Sequence, residues 1–112
     1  FTRVAAAHSF HNGLTVVPGI ERFLHGEKVA YGLLVQCALM HDYRELEYLR
    51  NEFSLIGLPI TLSAFGVDFH GSMLGSIIER TLRSGESIHY LPGSVTPSDL
   101  RSAISLVEGE QL

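Results

Sequence analysis

The chain has 112 residues, 46% of them hydrophobic, with mean hydropathy +0.20, enough for one domain that buries roughly two-thirds of its extended-chain surface and too much for a disordered chain. Eight basic against twelve acidic residues leave a net charge of -4 with no run of Lys or Arg, which excludes nucleic acid and anionic membrane as expected partners. Cys37 is the only cysteine, so no disulfide framework is expected and a reducing compartment, the cytoplasm, is the natural setting; no secretory signal is read, and the longest apolar run, residues 31–40 with one Gln, is too short to span a bilayer.

Residues 1–17 predict a helix, with Val4, Phe10, Leu14 and Val17 as apolar contacts and Ala5, Ala6 and Ala7 favouring helix and close approach. Asn12-Gly13 could end it earlier. Val17-Pro18-Gly19 turns the chain, and Glu21 and Arg22 in the connector read as solvated. Residues 26–40 predict a second helix that is apolar nearly all round and therefore central, with Gly26, Ala30 and Gly32 small enough to admit another backbone. Glu27 at its mouth reads as a dipole complement, Lys28 as a solvated end, and Cys37 as a packing residue rather than a nucleophile. Asp42 caps a third helix over 43–56, whose apolar stripe is Tyr43, Leu46, Leu49, Phe53 and Ile56 and whose stop is Gly57 with Pro59 beyond. Residues 61–65 are short, helical or irregular. Asp68 is placed as the cap of a helix over 69–83 with Met73, Ile77, Ile78 and Leu82 buried and His70 on the surface. After a turn at 84–87, residues 88–92 stay open between strand and loop but tuck against the bundle, with His89 in a structural hydrogen bond. Thr96-Pro97-Ser98-Asp99 starts a last helix, to about residue 108, that presents Leu100, Ile104, Leu106 and Val107 as apolar contacts. Helices with short links make an all-α bundle.

Three of the six histidines fall in the first two helical segments. His8 and His11 are one turn apart and share a face if the segment is helical. His25 stands at the mouth of the second helix, where the positive end of the dipole favours a neutral imidazole, the form a metal binds. H-x-x-H without the Glu of H-E-x-x-H is a weak motif, and a histidine in an apolar helix is more often a satisfied core or boundary residue.

The residues A-H-S-F-H-N-G from Ala7 and H-G-E-K-V-A-Y-G from His25 resemble paired motifs of the glycerol dehydrogenase branch of the iron-containing alcohol dehydrogenase and dehydroquinate synthase superfamily. G-L-P-I-T-L from Gly57 and G-E-S-I-H-Y-L-P from Gly85 agree in order and spacing. The resemblance implies the dehydroquinate synthase-like C-terminal helical domain as the fold. It also implies a divalent metal on His8 and His25, zinc ahead of ferrous iron, with His11 near the site as the candidate catalytic histidine. The third ligand, a carboxylate, has no match in these residues. A preceding NAD(P)-binding α/β domain has none either, so residues 1–112 are expected to be one domain of a larger homo-oligomeric enzyme, with little metal binding and no turnover alone.

The chemistry implied is oxidation of a small vicinal diol, alcohol or hydroxy acid. A cation on the substrate oxygen lowers its pKa, and hydride leaves the metal-bound alkoxide for the nicotinamide. Two other readings stand beside it. A dehydroquinate synthase-like lyase would need basic residues for a phosphate and a different upstream block, and a non-catalytic helical assembly module would need neither.

Overall fold

Two helices that cross at small residues set the arrangement of the rest. In the computed structural model, which describes residues 4–109, α1 (Ala5–Leu14) lies against α2 (His25–Leu39) so closely that a Cβ on Gly32 would stand 2.8 Å from the carbonyl oxygen of Ala7. Ala5, Ala6 and Ala7 are all buried at this crossing, as the small-residue run predicts. No side chain at Val4 caps α1. Its first-turn donors are met from the other helix: the Gln36 carboxamide oxygen accepts from Ala6 N at 3.0 Å and Ala7 N at 3.2 Å.

Helix α1 is shorter than the expected 1–17. Its expected start at Phe1 lies outside the described residues, and it ends at Leu14, where Thr15 and Val16 turn back onto Asn12 and Gly13. Gly13 does not end the helix. It is a packing residue, because a Cβ there would collide with Thr81 Oγ1 and lie 2.9 Å from Ile77 O. The connector carries a 3-10 turn, Ile20–Arg22, entered through Gly19 at φ 78°.

Helix α2 is central, as its nearly unbroken apolar surface predicts: it packs on α1, on α3 (Tyr43–Leu55) and on α5 (Pro97–Glu108). Tyr31, Leu34 and Val35 are fully buried with Phe10, Leu14, Phe65 and Leu100 in the main core. The Tyr31 hydroxyl donates to Glu108 Oε2 at 2.7 Å, and the same oxygen accepts from Leu62 N at 2.9 Å, tying α2, the 3-10 turn Ser63–Phe65 and the end of α5 together. Burial, and then the adjacent Glu108 carboxylate, push the Tyr31 phenol well above its usual pKa. Cys37 is half-buried, and burial first, with Asp42 and Glu45 nearby, pushes its thiol up to about 11, in keeping with packing rather than nucleophilic use.

Asp42 caps α3 by accepting from Glu45 N, but the predicted stripe is only partly buried. Leu46 is enclosed and Leu49 and Phe53 are partly so, whereas Tyr43 and Ile56 are exposed, because α3 packs chiefly on α2 and nothing described covers its outer side. Helix α4 (Met73–Thr81) begins four residues after the expected Phe69. The Asp68 carboxylate accepts from His70 N and its carbonyl from Gly71 N, so Asp68 closes a turn instead of capping the helix. The buried line is accordingly Leu74, Ile77, Ile78 and Thr81, with Met73 and Leu82 at the margin. Residues 87–90 form a 3-10 turn rather than a strand, with Ile88 buried against α1, and α5 starts with the Thr96 and Asp99 side chains capping each other's backbone. Among the described residues there is no strand, and no helix is long and apolar enough to cross a membrane.

Candidate metal centre

The last turn of α1 and the first turn of α2 meet at one edge of the bundle, and the histidines stand there. His25 is the first residue of α2, which begins without a capping side chain from Leu24; the Glu27 carboxylate reaches back to Leu24 N at 2.8 Å. That contact occupies Glu27 at the positive end of α2, in line with its expected role as a dipole complement. His25 Nδ1 lies 3.2 Å from His11 Nε2, with ring centroids 4.4 Å apart and planes tilted by 58°. The pair brought into direct contact is thus His11 and His25. His8, one turn earlier on the same face of α1, is exposed and turns its Nδ1 to the Val4 carbonyl oxygen at 3.0 Å.

These contacts fix which ring nitrogens carry protons. Asn12 Nδ2 faces the Glu86 carboxylate, 3.1 and 3.3 Å from its two oxygens, and a carboxylate only accepts, so the amide N–H groups must point there. The Asn12 Oδ1 then accepts from His11 Nδ1 at 3.4 Å, leaving a lone pair on His11 Nε2 to receive the proton of His25 Nδ1. Likewise His8 Nδ1–H donates to Val4 O. In their neutral forms His8 and His25 would each then present an Nε2 lone pair. A ring whose other nitrogen is tied to a carbonyl or a neighbouring base is the arrangement metal-binding histidines use.

His11 is half-buried and its pKa is lowered, first by burial and then by the charges of His25, Lys28 and His8, against an upward pull from Asn12. Two imidazoles supply part of a ligand set. Among the described residues no group of three or more His, Cys, Asp or Glu side chains is gathered to hold a metal ion. The donors present therefore fit a divalent cation only with a ligand added from elsewhere. His89 is exposed, with Nε2 on the Leu82 carbonyl at 2.9 Å, and His70 is on the surface, so both expectations for these rings hold.

No protein-family profile matches the chain. It is 51% identical over 109 residues to hydroxycarboxylate dehydrogenase A of Escherichia coli (strain K12), covering 96% of this chain and 30% of that protein. It is 39% identical over 104 residues to a glycerol dehydrogenase of Citrobacter freundii, covering 90% and 28%. Among solved structures, a probable glycerol dehydrogenase from Sinorhizobium meliloti 1021 superposes with TM-score 0.85 at 34% identity, covering 94% of this chain and 30% of that one. Glycerol dehydrogenase from Schizosaccharomyces pombe gives 0.82 at 39%, covering 94% and 27%. Over nearly its whole length the chain is similar to the C-terminal helical portion of glycerol dehydrogenase-like proteins. It spans about 30% of the length of the curated relatives it matches.

Within that portion, residues the sequence left without a role take part in the site. Asn12 is bound to Glu86, and Glu86 to Arg80 Nη1 at 2.6 Å. Burial would raise the Glu86 pKa, but hydrogen bonds from Arg80, Asn12 and Ser9 outweigh it and hold the carboxyl below its usual value. The signal was present in two matched blocks, H-N-G and G-E-S-I-H, which prove to be two ends of one hydrogen bond across 74 positions.

Proposed function

We propose that this chain is the metal-bearing half of an NAD(P)-dependent dehydrogenase of small polyols and hydroxy acids, completed by a dinucleotide-binding domain outside these residues. The observation that carries it is the contact of His11 on α1 with His25 at the start of α2, with His8 one turn earlier on the same face of α1. His8 and His25 would hold a divalent cation, zinc ahead of ferrous iron, together with a carboxylate from the other domain. Such an ion, when bound, lowers the pKa of a substrate hydroxyl so that hydride can pass to the nicotinamide.

The chain's own residues hold the donors ready. The Val4 carbonyl keeps the proton of His8 on Nδ1, and His11 does the same for His25. Burial lowers the His11 pKa, which favours the neutral ring that can accept from His25. In this reading His11, the candidate catalytic histidine, acts beside the ligand His25 that it contacts. Relatives named for glycerol and for hydroxycarboxylates support substrates with oxygens on adjacent carbons, which can reach one cation together.

The test is metal content and NAD(P)-linked oxidation of glycerol and of small 2-hydroxy acids by the full-length protein, alongside His8→Ala and His25→Ala. Both variants should lose metal and turnover. Full occupancy and rate in either would remove that residue from the ligand set.

A further inference from the structure

A chain of hydrogen bonds runs inward from the histidine pair to a guanidinium on α4: His25 Nδ1 to His11 Nε2 at 3.2 Å, His11 Nδ1 to Asn12 Oδ1 at 3.4 Å, Asn12 Nδ2 to Glu86 at 3.1 and 3.3 Å, and Glu86 Oε2 to Arg80 Nη1 at 2.6 Å. With both imidazoles neutral, as a metal ligand requires, each link has one polarity only. Arg80 can only donate, so Glu86 accepts from it. Glu86 as carboxylate can only accept, so Asn12 must present its N–H groups to it and its oxygen to His11. An oxygen there requires His11 to carry its proton on Nδ1. His25 must then carry its own on Nδ1, and its Nε2 is left unprotonated.

We propose that Asn12, Glu86 and Arg80 are positioning residues for the metal centre, a relay that sets the tautomer of His11 and through it frees Nε2 of His25 for a divalent cation. The inference rests on the ligand reading above. Its consequence is directional. If the anchor at Glu86 is lost, Asn12 is free to rotate its amide, His11 can take its proton on Nε2, and His25 must then accept on Nδ1 and carry its proton on Nε2. That proton has to leave before a cation can bind. The Arg80–Glu86 ion pair, with side chains only 20% and 12% exposed, holds Glu86 where Asn12 meets it.

The experiment measures zinc affinity of the full-length protein by competition with a chromophoric chelator. Glu86→Ala should bind zinc about 10- to 100-fold more weakly, the usual effect of removing a partner of a metal-binding histidine. The double variant Asn12→Asp with Glu86→Gln exchanges carboxylate and amide. Its Asp accepts from His11 and from the Gln amide, whose oxygen accepts from Arg80, so the polarity survives and wild-type affinity should return. Ser87→Ala removes the hydroxyl that ties the same loop to the Ala5 carbonyl at 3.0 Å and should leave affinity unchanged, which separates loosening of the loop from loss of the relay.

Wild-type affinity in Glu86→Ala, with binding abolished in His25→Ala, would overturn the relay and leave the ligands standing. Wild-type affinity in His25→Ala would overturn both. Should Glu86→Ala fail to fold, the ring nitrogen shifts of His11 and His25 in the metal-free wild type decide. Nδ1–H on both rings is expected, and Nε2–H on either overturns the proposal.

Discussion

Replacing Gln36 by Met tests the idea that α2, and not a residue of α1, caps the helix bearing His8 and His11. Methionine keeps the length and unbranched shape of glutamine, so little cavity or overpacking is added. What is removed is the oxygen that accepts from Ala6 N and Ala7 N among the described residues, both at residues 0% exposed and both in the first turn of α1. Two orphaned buried donors cost about 2–6 kcal/mol together. The apolar thioether recovers up to about 2 kcal/mol of burial. A net loss of about 2–3 kcal/mol is expected, a substantial share of the roughly 5–15 kcal/mol that stabilises a domain. In urea titrations of the 112-residue chain the midpoint should fall with the slope m unchanged, and Tm should drop by about 8–12 °C. A midpoint equal to that of the wild type would show that the two N–H groups have another partner and that Gln36 does not anchor α1.

Gly32→Ala should destabilise by about 1–3 kcal/mol although alanine is the better helix former, because the new methyl meets a backbone oxygen at 2.8 Å that cannot swing away; a rise in Tm would refute the close crossing. Cys37, with its thiol pushed up to about 11, should react with iodoacetamide at pH 8 far more slowly in the folded chain than in urea, and equal rates would contradict its burial. Glu86 has a folded pKa below its usual 4.5, so its contribution is complete above that value and is lost as pH falls through the folded pKa. The urea midpoint of Glu86→Gln should therefore decline less than that of the wild type between pH 5 and the acid limit, and parallel declines would refute the assignment.

The bundle was legible because its signals are local. The Thr96-Pro97 start, the Gly57 stop and the all-apolar face of residues 26–40 each name an end or a burial that no neighbour overrides. Where sequence reasoning missed, a distant partner decided. Gly13 reads as a helix breaker until Thr81 is seen packed on it, and Asp68 reads as a cap until its carboxylate is seen bonded to His70 N. The stripe of α3 marks a face correctly but cannot say whether another element covers all of it. At the site, motif likeness picked out the three histidines, yet their pairing was not readable. Spacing groups His8 with His11, whereas folding sets His11 against His25 and turns His8 toward its own helix.

That pairing follows from rigid geometry. Gly32 lies seven positions after His25, about 10 Å along α2, and Ala7, which it touches, immediately precedes His8 on α1. A crossing pinned at Ala7 and Gly32, with Gln36 bonded to the first turn of α1, therefore fixes both the separation of the two helices and how far α1 can slide along α2. The histidines stand on the segments that run from this crossing toward the mouth of α2, so a change of tilt at the pivot is carried to the rings as displacement. On the far side of α1, Gly13 against Thr81 and the Asn12–Glu86 bond stop the helix rotating about its own axis. Distance, register and rotation are thus each held by a different contact, and the same Asn12 that blocks rotation is the residue that orients the His11 proton. Packing and the proposed relay meet at that side chain, so under that proposal its loss should weaken metal binding even where the fold survives.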